Sequence, residues 1–397
     1  MRISTAQFYK QSVDQMLHQQ AALARTQNQL TSEQKWSRAG DDPTGYANAM
    51  GMDQNLAQLE RYTSNAQSVQ QRLYLEEDSL ASATDILQSV RELSIQANTA
   101  SQSDENRATI ATQLRSLRDQ LLAVANQDDG QGRYLFGGTA DASAPFSWSG
   151  GSATYNGNQQ VSDVQIGSSR SVAAGDAGSE VFMRLKTGNG TFAVQAGSGN
   201  TGSLQVGSTG VTDASLWDGG SYSVSFSGGN YEIRDTGNTV IQSGAYSEGQ
   251  ALSFRGVNLA FSGTPADGDS FSVGPSQAQD AFALIDKLAN LIEQPQSSGA
   301  QRAQFQTALQ QSLTELSAAE THVTSVQSSV GVRLAATDGA LDLLSTQNLH
   351  VTEALSNLRD VDVVEAASRL QQQMVALQAA QKSYVSVQGL SLFDYLR

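Results

Sequence analysis

The run Leu309-Gln-Gln-Ser-Leu-Thr-Glu-Leu316-Ser-Ala-Ala-Glu-Thr-His-Val323-Thr-Ser-Val-Gln-Ser-Ser-Val330 decides the fold. Leucine or valine returns at every seventh position, and the ladder continues through Thr337, a polar rung, to Leu344, Val351 and Leu358. That spacing holds one seam of an α-helix against one partner. The surrounding segment, Gln301–Arg397, contains no proline and only Gly331, Gly339 and Gly389. A continuous helix over Leu309–Leu358 would be about 75 Å long at ~1.5 Å per residue. Such a rod needs other long helices to cover its seam.

Those helices lie far upstream. Across Leu56–Ala97, the residues Leu59, Tyr62, Ala66, Val69, Leu73, Leu80, Ala83, Leu87, Val90 and Ala97 follow three-four spacing, interrupted by Glu76 and Ser94. After a break at Asn98–Ser103, with Asp104 as the expected cap, Ile110, Leu114, Leu117, Leu121 and Val124 form another face. Ala278–Ile292 is a further candidate, with Ser276 and Gln279 as an expected capping box and Pro295 beyond its end. Together these stripes predict a helical bundle.

The first segment is thinner. In Gln7–Gln34, Tyr9, Met16, Leu23 and Leu30 recur every seven residues, but Val13, Gln20 and Gln27 fill the intervening seam positions. Such a helix has little reason to be stable alone. Trp36–Gly45 then ends it and starts the next: Asp42 before Pro43 reads as an N-cap with proline at the first helical position. Gly40 and Gly45 are expected to supply turn freedom, and Asp41 with Asp42 reads as capping chemistry. Beyond Leu358, the residues Val363, Ala367, Leu370, Met374, Leu377 and Tyr384 extend the seam, with Gln381 interrupting it.

From Ala140 to Pro275 the pattern becomes β. Ser221–Ser227 alternates strictly, with Tyr222, Val224 and Phe226 on one face, and Gly228-Gly229-Asn230 turns it into Tyr231-Glu-Ile-Arg. Val181–Lys186 and Phe192–Gln195 around Gly188-Asn189-Gly190 read as a second hairpin, and Arg133–Phe136 as a short strand. Helical partners flank the β region in sequence, so it is an insertion. The predicted class is α + β multidomain: a long antiparallel helical coiled coil or bundle from both terminal segments, with an inserted mainly-β domain.

The formal charge is −15, and Lys10, Lys35, Lys186, Lys287 and Lys382 are the only lysines. Without a basic patch, nucleic acid and anionic membrane surfaces are disfavoured partners. The lack of cysteine removes disulfides and zinc–thiolate sites. Met1–Tyr9 lacks a basic region followed by an apolar run, so no ordinary signal peptide is expected, and no stretch reaches the ~18 apolar residues of a membrane span.

Motifs with catalytic potential dissolve on reading. Gly197-Ser-Gly-Asn-Thr-Gly202 fits GxGxxG, but the phosphate use of that pattern needs a helix behind it, and Ser203-Leu-Gln-Val follows. His18, His322 and His350 are isolated. Asp267-Gly-Asp269 lacks the remaining ligands of a calcium loop, and Asn189-Gly-Thr191 is a formal glycosylation sequon that a tight turn explains equally well. We expect no enzyme activity, catalytic residue, cofactor or metal.

The segment Ser37-Arg-Ala-Gly-Asp-Asp-Pro-Thr-Gly-Tyr-Ala47 resembles the flagellin-family stretch that follows the first helix. Met1-Arg-Ile-Ser-Thr, Tyr134-Leu-Phe-Gly-Gly138 and Gly268-Asp-Ser-Phe-Ser-Val are similar to the hook-associated branch of that family. So are Leu358-Arg-Asp-Val-Asp362 and the ending Ser391–Arg397. The likeness covers residues 1–139 and 276–397 well and the β insertion loosely. It implies an extracellular subunit of the bacterial flagellum at the hook–filament junction, exported unfolded without a cleaved signal peptide. The implied partners are hook-associated protein 1 (FlgK), flagellin, like subunits in a ring, and an export chaperone (FlgN) at the C-terminal region. The resemblance also implies three layers: terminal helices 1–42 with 358–397 innermost, a bundle of 43–139 with 276–357 that includes a short β-hairpin, and an outer β domain, 140–275. The expected assembly interface is Met16, Leu23, Leu30, Leu370, Met374, Leu377, Tyr384, Leu392 and Phe393. The expected interdomain linker motif is Arg38, Asp41, Asp42, Pro43 and Gly45. Two other readings stay open: a self-polymerising filament flagellin, and an exported adhesin on a helical stalk.

Overall fold

The computed structural model describes residues 5–99 and 102–395; side chains at 5, 6, 8, 9 and 387–395 lie outside that description. The motif residues Met1–Ser4, the seam residue Tyr9 and the side chains of Ser391–Tyr395 therefore fall outside the described residues, as do Leu396 and Arg397. The chain forms two compact units, Met1–Ser64 with Leu341–Arg397, and Asn65–Ala340.

The long helices follow the apolar ladders. α1 spans Thr5–Ser32, α2 Pro43–Ala97 and α3 Asp104–Ala125. After the β region come α5 (Ala281–Ile292), α6 (Gly299–Arg359) and α7 (Val363–Tyr395), with the one-turn α4 at Gly178–Phe182.

Within Asn65–Ala340, α2 and α6 run antiparallel, joined by a two-pronged Arg91–Glu320 pair at 3.0 and 2.7 Å. Leu309, Leu316, Val323, Val330 and Thr337 are all buried. The polar rung is satisfied because Thr337 Oγ1 donates to the Arg333 carbonyl at 2.8 Å. α3 packs along α5, where Arg115 grips Glu293 at 2.6 and 2.8 Å and Arg118 meets Asp286 at 2.5 Å. Eight side chains of α5 are buried, from Ala281 to Ile292. Phe136, Phe146, Phe182 and Phe282 stack by tilted and edge-on contacts between 5.2 and 6.0 Å. Phe182 belongs to α4 and Phe282 to α5, so the cluster ties these two helices together.

Several local expectations are corrected here. α3 is capped by Ser103, whose Oγ accepts from Asn106 N, while Asp104 occupies the first turn and pairs with Arg107. α5 is capped by Asp280, which accepts from Ala283 N at 2.6 Å. Ser276 is no cap: its hydroxyl donates to the Thr187 carbonyl at 2.6 Å, and Ala278–Gln279 (β14) pairs as a strand with Leu185–Lys186 (β5). Arg133–Phe136 forms turns with one bridge, Asp128↔Tyr134, because Arg133 and Asp129 fold the loop onto itself.

The β region begins with two hairpins, β1 (Phe146–Ser149) with β2 (Ser152–Tyr155) and β3 (Asp163–Gly167) with β4 (Arg170–Ala173). β6 is Phe192–Ala196, β7 Gln205–Val211, β8 Tyr222–Ser227, β9 Asn230–Asp235 and β10 Val240–Ala245. β11 is Ala251–Phe254, β12 Val257–Ser262 and β13 Ser270–Pro275. One sheet has the order β10-β9-β8-β13-β6 and another β11-β12-β7, and their inner faces share one apolar core. β8 buries Tyr222, Val224 and Phe226, and Gly228 and Gly229 turn it into β9 with φ of 56° and 77°. Left-handed backbone at both central positions is what a two-residue hairpin turn requires.

The hairpin expected around Gly188–Gly190 does not form. Val181 and Phe182 bury themselves in α4, β5 pairs with β14, and β6 pairs with β13. The turn is still tight, because Asn189 Oδ1 accepts from Thr191 N and Phe192 N. The Gly197–Gly202 loop and the Asp267–Asp269 turn are one structural device: buried Asp269 accepts from the backbone N–H groups of Thr201, Gly202 and Ala266.

Candidate assembly interface

The two ends of the chain meet in the first unit. α1 and α7 pack along each other, and the bridge Gln34↔Asp360 ties their inner ends. Around it Lys35 N donates to the Arg359 carbonyl at 2.7 Å and Val361 N to the Glu33 carbonyl at 2.8 Å. Met16 and Gln19 face Ala380 and Tyr384 across a cavity of about 210 Å³. Since residue 34 sits by 360 and residue 16 by 384, the pair is antiparallel.

Met16, Leu23, Leu30, Leu370, Leu377 and Tyr384 are half-buried in this pair. Met374, also expected in the seam, is exposed with Val363 and Ala367. The described seam of α7 runs through Ala366, Leu370, Gln373, Leu377, Ala380 and Tyr384, one position away from Ala367 and Met374. Asp362 Oδ1 accepts from Val364 N and Glu365 N and starts α7 afresh. Leu392 and Phe393 lie in α7 with side chains outside the described residues. Among the described side chains of α1 and α7, only Thr26 and Ala366 are fully buried. Gln19 Oε1 and Gln373 Oε1 are shielded from solvent and have no hydrogen-bond partner. The pair is thinly packed.

Outside the seam lies a second apolar flank that the seven-residue reading missed. Leu17 is 56% exposed, Val364 81%, Val375 60% and Val385 65%. Val364 and Val375 are eleven positions apart, as are Met374 and Val385. Eleven residues close almost three helical turns, so an eleven-residue search would have found this flank.

Arg38, Asp41 and Asp42 sit between α1 and α2, and Pro43 and Gly45 lie in the first turn of α2, all inside the first unit. Asp41 N donates to the Arg38 carbonyl at 3.0 Å, and Asp41 Oδ2 accepts from Arg38 N at 3.3 Å. Asp42 is the N-cap of α2, with Oδ1 accepting from Gly45 N at 2.9 Å. Gly45 does not supply turn freedom as expected; it is helical, and a Cβ there would strike the capping carboxylate. Trp36 is buried against Ala49 and Leu355 and seals the turn.

Among the described residues no group of three or more His, Asp or Glu side chains converges as metal ligands. Among them no helix is long and apolar enough to cross a membrane. His322 Nε2 lies 2.7 Å from the Glu180 carbonyl, a structural contact.

Comparison with known proteins gives these ends a context. Residues 3–141 match the bacterial flagellin N-terminal helical region and residues 313–396 the C-terminal one. Residues 195–275 match the D2-like domain of flagellar hook-associated protein 1. Flagellar hook-associated protein 3 of Salmonella typhimurium is 26% identical over 398 residues, spanning 100% of both chains. FlgL from Xanthomonas campestris is 38% identical, with a TM-score of 0.72 over 77% of this chain and 99% of that one. The flagellar junction protein FlgL from Legionella pneumophila is 30% identical, with a TM-score of 0.72 over 79% and 100%. The chain belongs to the hook-associated protein 3 (FlgL) family within the flagellin superfamily.

Proposed function

We propose that the protein is a structural junction subunit of the bacterial flagellum, standing between hook-associated protein 1 and the flagellin filament as an adaptor. The observation that carries this reading is the antiparallel α1–α7 pair, built from flagellin-type ends and carrying exposed apolar side chains on its outer flank. Like subunits arranged in a ring would cover that flank, so Leu17, Val364, Val375 and Val385 join the seam residues as the assembly interface. The seam itself, Met16, Leu23 and Leu30 with Leu370, Leu377 and Tyr384, holds the pair together inside one subunit. Export proceeds outward through the flagellar channel without a cleaved signal, with a chaperone (FlgN) holding the C-terminal region beforehand.

So little apolar surface is buried in α1 and α7 that the pair gains its stability on assembly. Electron microscopy of purified protein, alone and with hook-associated protein 1, flagellin and short hook fragments, tests the adaptor role. The subunit should stay short of filaments alone and permit flagellin growth on capped hooks. Long filaments from the protein by itself would move it to the flagellins.

A further inference from the structure

Glu76 interrupts the apolar stripe of α2, and its side chain is 1% exposed. Both carboxylate oxygens are shielded from solvent and lack a well-formed hydrogen bond, and Asp176 is the hydrogen-bonding group that faces them. A buried carboxylate in that state is costly unless it carries a proton. Burial, then the charge of Asp176, push the Glu76 carboxyl from 4.5 up to about 8, against the opposing pull of Arg333.

The groups around it explain what that proton does. Arg72, one turn earlier on α2, donates to the Tyr134 and Leu135 carbonyls, both at 3.0 Å, and stands 3.9 Å from Asp129. Arg333, from α6, donates to the Gly175 carbonyl at 2.9 Å and pairs with Asp176. Arg133 completes the set through Asp129. Thus two arginines pin two chain crossings to the bundle, one after α3 and one after β4. A Cβ built on Gly175 would lie 3.4 Å from Glu76 Oε2 and 3.5 Å from Arg72 Nε, so the carboxyl sits beside these pins. A cavity of about 390 Å³, lined by Arg72, Leu135, Gly175 and Asp176 among others, lies against the arginine-held crossings next to Glu76.

We propose that the proton on Glu76 is a latch: while it is present, Arg72 and Arg333 stay on the backbone of the two crossings, and once it leaves, the carboxylate draws those guanidiniums away and loosens both segments. The direction with pH follows from linkage. The folded state keeps a proton that the unfolded chain releases near 4.5, so stability falls as pH rises from that value through about 8 and then levels off.

The test compares the full-length native chain with Glu76→Gln, which mimics the protonated form. Hydrogen exchange, corrected for its intrinsic pH dependence, is followed in segments 130–136 and 172–177 at pH 6 and 9, beside a carboxyl titration by NMR. The native protein should lose protection in both segments at pH 9, with a Glu76 midpoint near 8, and Glu76→Gln should keep it. Asp176→Asn should move the midpoint downward by removing a like charge. Native protection unchanged between pH 6 and 9, or an equal loss in Glu76→Gln, overturns the latch. So does a Glu76 midpoint in the ordinary carboxylate range.

Discussion

Leu309, Leu316, Val323 and Val330 on α6 and Met16, Leu23 and Leu30 on α1 obey the same seven-residue spacing. The first set is fully buried and the second only half-buried. What differs is the number of neighbours available. The α6 ladder lies in a unit that also holds α3, α5 and much of α2, whereas α1 has α7 along its seam. Periodicity establishes which side of a helix is apolar. Depth of burial depends on how many elements gather there, and that is a tertiary quantity.

The sharpest break of this comparison is Leu73→Asp against Leu377→Asp. Leu73 is fully buried, so losing it costs ~2–5 kcal/mol before the charge is counted. Its unit should unfold, seen as loss of the cooperative thermal transition. Leu377 is half-buried, and Leu377→Asp should leave that transition in place while abolishing incorporation into junctions. Equal destabilisation would make α1 and α7 ordinary core.

Next in size is Val375→Ser. At 60% exposure it should change monomer stability by no more than about 0.5 kcal/mol, yet weaken incorporation by removing apolar surface that neighbours would cover. Unchanged incorporation would return the interface to the seam alone. Smallest is Asp42→Ala, which removes one cap and should cost about 1 kcal/mol. Faster hydrogen exchange confined to the first turn of α2 is the expected signature.

The helices, the insertion and the Asp42–Pro43 start were legible because each rests on neighbours in sequence. The misread positions share the opposite property. Ser276 looked like a cap, but its hydroxyl belongs to Thr187, 89 positions away. Gly188–Gly190 looked like a hairpin, but β6 takes its partner from β13, across most of the β region. Glu76 read as a gap in a stripe, since only the folded bundle brings Asp176 and Arg333 against it. At the ends, Met16 and Leu377 lie half-buried where α1 and α7 meet. The seven-residue spacing missed Val364 and Val385, because they stand outside that seam on another side of α7.

The contact between α3 and α5 has a consequence of its own. The chain leaves the bundle at the end of α3 and re-enters at the start of α5, and these helices lie side by side. Departure and return points are therefore neighbours, and lengthening what lies between them adds little closure entropy, ~0.6 kcal/mol per doubling. The β region thus leaves and rejoins the bundle at adjacent points, while contacts with α6, such as Val206 N donating to Thr307 Oγ1 at 3.3 Å, hold it in place.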